Sequence, residues 1–369
     1  MAEISLCMIV RNEESVLDRC LSGVKDIADE IIIVDTGSDD ETKNIAAKYT
    51  DKIYDFKWTD NFSAARNFSF SKAEKDYIMW LDADDVIDGE NRRKLLELKE
   101  KLGTENTADM VMIKYYTAFD ENGAPTFSYC RERLLRRAMN YKWVGAVHEV
   151  IAPRGNVVYS DIAVMHKKLK PADPDRNLRI FEKLEKNGVP LDARQKFYYA
   201  RELYYHGRYA EAIDMFDRFF ESGDKWYENC ISACLDLSRC HMALDRRETA
   251  LESLFKSFLY DSPRAEICCE IGTIKLSEQK YREAAFWYKT AAGTEPTEQN
   301  GGFSSPDCRG YIPYMQLCVC YDRLGEYRKA YEYNEMAGKL KPRDKNFLAN
   351  KEYFSRLFDS KNDNSNSIN

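Results

Sequence analysis

The sequence contains no apolar run near the ~20 residues that a bilayer-spanning helix requires. Its opening, MAEISLCMIVRNEE, breaks into charge after ten residues, too early for a secretory signal, so a soluble, unexported, cytoplasmic protein is expected. With 55 basic and 62 acidic side chains and a formal net charge of −7, the chain lacks a basic excess to grip nucleic acid or anionic lipid. The 11 cysteines are odd in number and form no CxxC pair, which excludes the usual zinc frameworks and suits reduced core thiols. A GxxxxGK[ST] phosphate loop is also missing. So is a glycine-rich loop with a nearby lysine at the N-terminus, which disfavours a nucleotidyltransferase or pyrophosphorylase.

What is present points to folded cores. The chain is 44% apolar and 32% charged, with 24 Tyr and 18 Phe. At 369 residues it exceeds the roughly 250–300 at which a single core stops growing, so two domains are expected. From residue 3 to about 85, short β-branched runs (4–10, 30–35, 52–56, 76–82) alternate with amphipathic stretches. That order predicts a mainly parallel sheet with helices on both faces. A further helix is predicted over 88–102, then strands near 109–118, 126–136, 147–152, 156–160 and 162–167. The loss of helical alternation there predicts a mixed sheet, and the two prolines of KLKPADPDRN (168–177) mark its end.

Beyond it the period changes to that of long helices with an internal repeat. Four segments align on Ala212, Ala250, Ala284 and Ala330, with Tyr209, Tyr281 and Tyr327 three residues earlier and Arg247 at the equivalent place in the second. Pro263, Pro296 and Pro342 close repeats, and EQNGGFSSPDCRG accounts for the longest interval as a loop. The pattern resembles tetratricopeptide repeats, in which a small alanine lets paired helices approach closely. The expected division is 1–170, 171–358 and an unstructured tail at 359–369.

The segment DYIMWLDADDVIDGE (76–90) sets Asp82, Asp84 and Asp85 at the end of a buried strand. Like charges this close repel unless water, a proton or a cation relieves them. A D-x-D alone is weak, since strand-end and helix-capping aspartates are common. Its position beyond the carboxyl end of a strand, where ligands of open α/β sheets bind, strengthens it. A hard divalent cation, Mg2+ or Mn2+, takes oxygen ligands and would bind a diphosphate at the same time. VRNEE (10–14), VDTGSDDET (34–42) and DNFSAARN (60–67) fall at the same edge. There Asp35 could accept a hydrogen bond from a base or ribose, and Arg66 could complement a diphosphate.

Taken together, RNE, VDTGSDDET, FSAARN, WLDADD, RLLRR and WVGAVHE resemble glycosyltransferase family 2, the inverting GT-A type, over roughly residues 3–167. The resemblance implies a GT-A, Rossmann-like sheet that binds a nucleotide sugar, with Arg11, Asn12, Glu13 and Asp35 about the nucleotide. It also implies Asp84 as metal ligand, with Asp82 near ribose or metal and Asp85 near the sugar. Glu149 stands where the family places its general base, and His166 where related transferases place a late metal ligand. His148 reads as packed, and Arg133, Arg136 and Arg137 as candidates to position phosphate or acceptor. The transferase joined to repeats also resembles the subgroup that includes bacterial peptide S-glycosyltransferases. Peptide, protein and saccharide or lipid-linked acceptors therefore stay open, as do repeats that form a homodimer and a non-catalytic scaffold.

Overall fold

Alternation along each strand places side chains on opposite faces of a sheet, and here both faces are buried. In β1 (Ile4–Val10), Ile4, Leu6, Met8 and Val10 enter one core and Cys7 the other. The same division recurs in β2 (Glu30–Asp35), with Ile31 and Ile33 opposite Ile32 and Val34. In β4 (Tyr77–Trp80), Tyr77 and Met79 lie opposite Ile78 and Trp80. In this computed structural model, which describes residues 1–105, 108–119, 123, 125–169, 173–295 and 305–366, the chain forms two units, Met1–Leu191 and Asp192–Asn369.

In the first unit, α1 (Leu17–Val24), α2 (Thr42–Ala46), β3 (Ile53–Asp55) and α3 (Phe62–Phe70) complete the alternating half. There follow β5 (Asp85–Val86), α4 (Gly89–Glu105), β6 (Met110–Phe119), β7 (Pro125–Arg136), β8 (Trp143–Val144), β9 (Val150–Ile151), β10 (Val157–His166) and α5 (Arg176–Lys186). The main sheet runs β3-β2-β1-β4-β7-β6-β10-β5. Pairing is parallel among β1, β2, β3 and β4, whereas β7 is antiparallel to both β4 and β6. Leu17, Leu21 and Leu95 from α1 and α4 fill one face, and Phe70 from α3 the other, as the mixed sheet with helices on both faces requires.

Four expectations are corrected. The two strands expected at 156–160 and 162–167 are one, β10, irregular between Tyr159 and Ala163 where its register on β6 shifts. The strand expected at 147–152 shrinks to β9, because its partner is the two-residue β8, with Gly145 and His148 at positive φ between them. The first unit reaches Leu191, past the boundary expected at 170, because α5 packs on the domain: Phe181 stacks on His148 and Lys183 pairs with Asp60. The tail expected to be unstructured from 359 is helical to Asn366, since a packed helix propagates at little cost per residue; residues 367–369 lie outside the described residues.

The second unit consists of helices: α6 (Ala193–Tyr205), α7 (Tyr209–Phe220), α8 (Tyr227–Ala243), α9 (Arg247–Lys256), α10 (Ala265–Ser277), α11 (Tyr281–Ala292), α12 (Tyr311–Arg323), α13 (Tyr327–Leu340) and α14 (Lys345–Asn366). Tyr209, Arg247, Tyr281 and Tyr327 each open the second helix of a pair, so Arg247 keeps the repeat register without the aromatic. Ala212, Ala250, Ala284 and Ala330 are all fully buried. The turn inside each pair is built alike: Gly207, Asp245, Gln279 and Gly325 take positive φ two residues before the second helix. The residue after each donates its N–H five residues back, to the carbonyls of Leu203, His241, Lys275 and Tyr321 at 2.8–3.0 Å. This is the helix-ending arrangement that a left-handed residue permits. Pro263 and Pro342 precede α10 and α14, while Pro296 and part of the expected long loop lie outside the described residues. The 11 cysteines are all unpaired thiols and, apart from the half-buried Cys130, buried.

Candidate active site

Because β1, β2, β3 and β4 are parallel, the segments after them gather at one edge of the sheet. After β1, Asn12 takes a left-handed conformation, donates its N–H to Ser38 Oγ at 2.9 Å and accepts from the Asp39 N–H at 2.9 Å. The Glu13 N–H donates to Thr42 Oγ1 at 2.7 Å, so the RNE turn and the turn after β2 brace each other. Arg11 is exposed beside them. Asp35 is buried at the end of β2, where its Oδ1 accepts the N–H groups of Gly37 and Ser38, both at 2.9 Å. Its Oδ2 is buried and has no hydrogen-bond partner among the described residues. Lys43 Nζ stands 3.9 Å from Oδ1.

The aspartate turn after β4 is closed on itself. The Asp85 N–H donates to the Asp82 carbonyl at 3.0 Å, and the Asp82 N–H donates to Asp85 Oδ2 at 2.9 Å. Antiparallel pairing of β5 with β10 sets Asp85 opposite His166, and the Lys167 N–H donates to the Asp84 carbonyl at 3.0 Å. His166 Nδ1 is thereby 3.1 Å from Asp84 Oδ1, and ligand atoms of Asp84, Asp85 and His166 all lie within 4.8 Å of one another. Asp85 is fully buried and already engaged by the Arg133 guanidinium at 2.9 Å and the Tyr115 hydroxyl at 2.8 Å. Asp84 and His166 keep side-chain exposures of 16% and 26% and are the members that could reach a ligand. Burial opposes the charge on His166, but Asp84 and Asp85 prevail and lift its pKa to about 9. Burial likewise drives the Tyr115 phenol upward, helped by Asp85.

The other carboxylates are joined by Arg66. From α3, whose Asn61 cap accepts the Ala64 N–H, Arg66 donates Nε–H to Glu149 Oε1 at 2.6 Å and an amino N–H to Asp82 Oδ1 at 2.8 Å. The guanidinium carbon lies 4.8 Å from the Trp80 ring and 4.9 Å from Trp143. The β8 backbone that carries Trp143 is held by Asn67, which donates to its carbonyl and accepts from its N–H, both at 2.9 Å. Burial pushes the Asp82 carboxyl upward, but the positive charges of Arg66 and Arg133 outweigh that and hold it well below the usual carboxylate range.

The structure therefore gathers Asp82, Asp84, Asp85, Glu149, Arg66 and His166 at one place, with the Arg11, Asn12, Glu13 and Asp35 turns at the same edge. Several contacts differ from those expected. Asp82, read as a metal neighbour, is tied to Arg66 and falls outside the Asp84–Asp85–His166 group, because one guanidinium fork reaches it and Glu149 together. Asp85, read as near the sugar, supports the turn from beneath. Arg66, expected to complement a diphosphate, pairs with two carboxylates. Arg133 is buried under Trp80 and Tyr115, Arg136 pairs with Asp109, and Arg137 donates to the Lys75 carbonyl. Tyr115, Trp80 and Trp143 were not singled out from sequence; only their aromatic character at buried strand positions marks them.

Residues 5–153 match the model of the family described as Glycosyl transferase family 2. The chain carries a family 2 glycosyltransferase domain. His166 lies beyond the matched segment. A TPR repeat-containing protein of Synechococcus elongatus is 38% identical over 152 residues, 41% of this chain and 36% of that protein. The SPbeta prophage-derived glycosyltransferase SunS of Bacillus subtilis is 29% identical over 225 residues, 57% of this chain and 51% of that protein. This chain thus spans between 36% and 51% of the length of these curated relatives. The crystal structure of S. aureus TarS has 14% identity and a TM-score of 0.36 over 69% of this chain and 53% of that one, too slight a likeness to argue from. The second unit that follows is a run of paired helices, the arrangement expected of the tetratricopeptide-like pattern in the sequence. Among the described residues no helix is long and apolar enough to cross a membrane.

Proposed function

We propose that the glycosyltransferase domain moves a hexose from a nucleotide sugar, a UDP-hexose, to an acceptor with inversion at the anomeric carbon. The observation that carries this reading is the approach of Asp84 and His166 beside a carboxylate pair, Asp82 and Glu149, held in one guanidinium fork. The unpartnered Asp35 Oδ2 supports the nucleotide part, since a buried carboxylate oxygen without a donor suits the N–H of a uracil-like base. Carboxylate and imidazole donors fit a hard divalent cation, Mg2+ or Mn2+, which Asp84 and His166 would hold. When bound, such an ion supplies positive charge where the leaving diphosphate gathers negative charge.

The chain's own residues do the remaining work. Glu149 takes the proton of the acceptor hydroxyl or thiol as that atom attacks the anomeric carbon and the bond to the diphosphate breaks. Arg66 holds Glu149 Oε1, which leaves the second carboxylate oxygen to accept the proton. Trp80 and Trp143 flank the fork and exclude water around it. The acceptor we favour is a peptide or protein side chain presented by the helical repeats, since repeat arrays offer extended surfaces to partners.

The test is a screen of UDP- and GDP-sugars with Mn2+, following nucleoside diphosphate release by the purified chain and by Asp84→Ala. Release from a UDP-hexose that is lost in the variant supports the reading. Absence of nucleotide binding by calorimetry would favour a scaffold instead.

A further inference from the structure

The Tyr115 hydroxyl sits between two members of the Asp84–Asp85–His166 group and lies outside the sequence motifs of the site. It donates to Asp85 Oδ1 at 2.8 Å, and its oxygen lies 2.8 Å from His166 Nδ1. Asp85 is fully buried, with Oδ2 taken by the Asp82 N–H and by Arg133, so the phenol at 2.8 Å is the nearest donor to Oδ1, with His166 Nδ1 farther off at 3.6 Å. With that proton committed, the phenol oxygen offers a lone pair toward His166 and accepts from Nδ1–H, as the second acceptor beside Asp84 Oδ1 at 3.1 Å. An imidazole that donates through Nδ1 presents Nε2 as the nitrogen with a lone pair for a cation. The ring itself is held by packing: Tyr115 meets His166 edge to face at 5.6 Å, Tyr129 at 5.7 Å, and lies 4.4 Å from the Arg133 guanidinium carbon.

We infer that Tyr115 is a positioning residue of the cation site, fixing the orientation and tautomer of His166 while anchoring the aspartate turn through Asp85. The inference rests on the proposed function, because it presumes that Asp84 and His166 hold the ion. It adds a residue on β6, in the half of the sheet outside the alternating nucleotide-binding portion, to the machinery of the site.

The experiment is a Mn2+ titration followed by the loss of the free-ion electron paramagnetic resonance signal, with and without UDP, on the full chain. Wild type, Y115F and Y129F are compared, and thermal unfolding with and without Mn2+ is recorded for each. Y115F keeps the ring and removes the hydroxyl; Y129F removes a hydroxyl one ring away. Losing an outer partner of a metal ligand typically weakens metal binding by about 10–100-fold. The expected result is that loss in Y115F, with a smaller Mn2+-induced rise in unfolding temperature, and wild-type affinity in Y129F. Equal affinity in wild type and Y115F would overturn the positioning role while leaving the metal reading standing, as would an equal loss in Y129F. A wild type that binds no Mn2+ under either condition removes both.

Discussion

Replacing Arg66 with Met tests whether one guanidinium holds the two halves of the candidate site together. The substitution keeps an apolar stem between Trp80 and Trp143 but strands Asp82 and Glu149, whose side chains are 33% and 11% exposed. Removing one partner of a buried pair costs about 3–5 kcal/mol. Asp82 can recover some water, so the lower end applies, about 3 kcal/mol. For a folding unit of 150–250 residues, each kcal/mol moves the midpoint by about 2–4 °C, which gives about 6–12 °C for the first unit. Differential scanning calorimetry of the whole chain would read this as a shift of one transition while that of the repeats stays in place. Adding Asp82→Asn and Glu149→Gln to Arg66→Met should recover most of the loss, because neutral partners no longer demand a counter-charge. A midpoint within about 2 °C of wild type for the single variant, or a triple variant no better than the single, would refute the clamp.

Further outcomes are expected. Asp82 has a folded-state pKa below its unfolded value, so its stabilisation is complete above the ordinary carboxylate range and is lost as pH falls below about 4. Stability measured by denaturant between pH 4 and 2 should therefore fall less steeply in Arg66→Met than in wild type. Glu149→Gln should lower kcat by about 10^2–10^4 with little change in donor KM, as steady-state assays of diphosphate release would show. Asp35→Asn should raise the donor Kd by about 10- to 100-fold in calorimetry, as expected for a lost hydrogen bond to a charged group. In the repeats, Gly325→Ala should cost about 1 kcal/mol, since it forces a side chain onto a left-handed backbone, and lower the transition of the second unit only.

Much of this architecture was legible because its elements are periodic. β1, β2 and β4 announce themselves by alternation, and the repeat alanines by spacing, since both report local geometry. The candidate residues could be assembled because parallel strands bring their carboxyl ends to one edge. What escaped was decided at long range. β5 is two residues long and exists because β10 returns to pair with it, about eighty positions later. The partners of Arg66 lie 16 and 83 positions away, so its pairing with Asp82 and Glu149 has no local signature. Asp85 looks like its neighbours in sequence, yet Arg133 and Tyr115 take it inside.

The pairing of β5 with β10 gives the chain a direction in time. A ribosome that has released the D-x-D segment has made Asp84, but not the strand that pins the turn or the imidazole that stands beside it. Those arrive with residues 157–166, the final strand of the domain. A nascent fragment ending at β9 would thus hold most of the sheet and still lack the Asp84–Asp85–His166 group, which closes only when the last strand is threaded home.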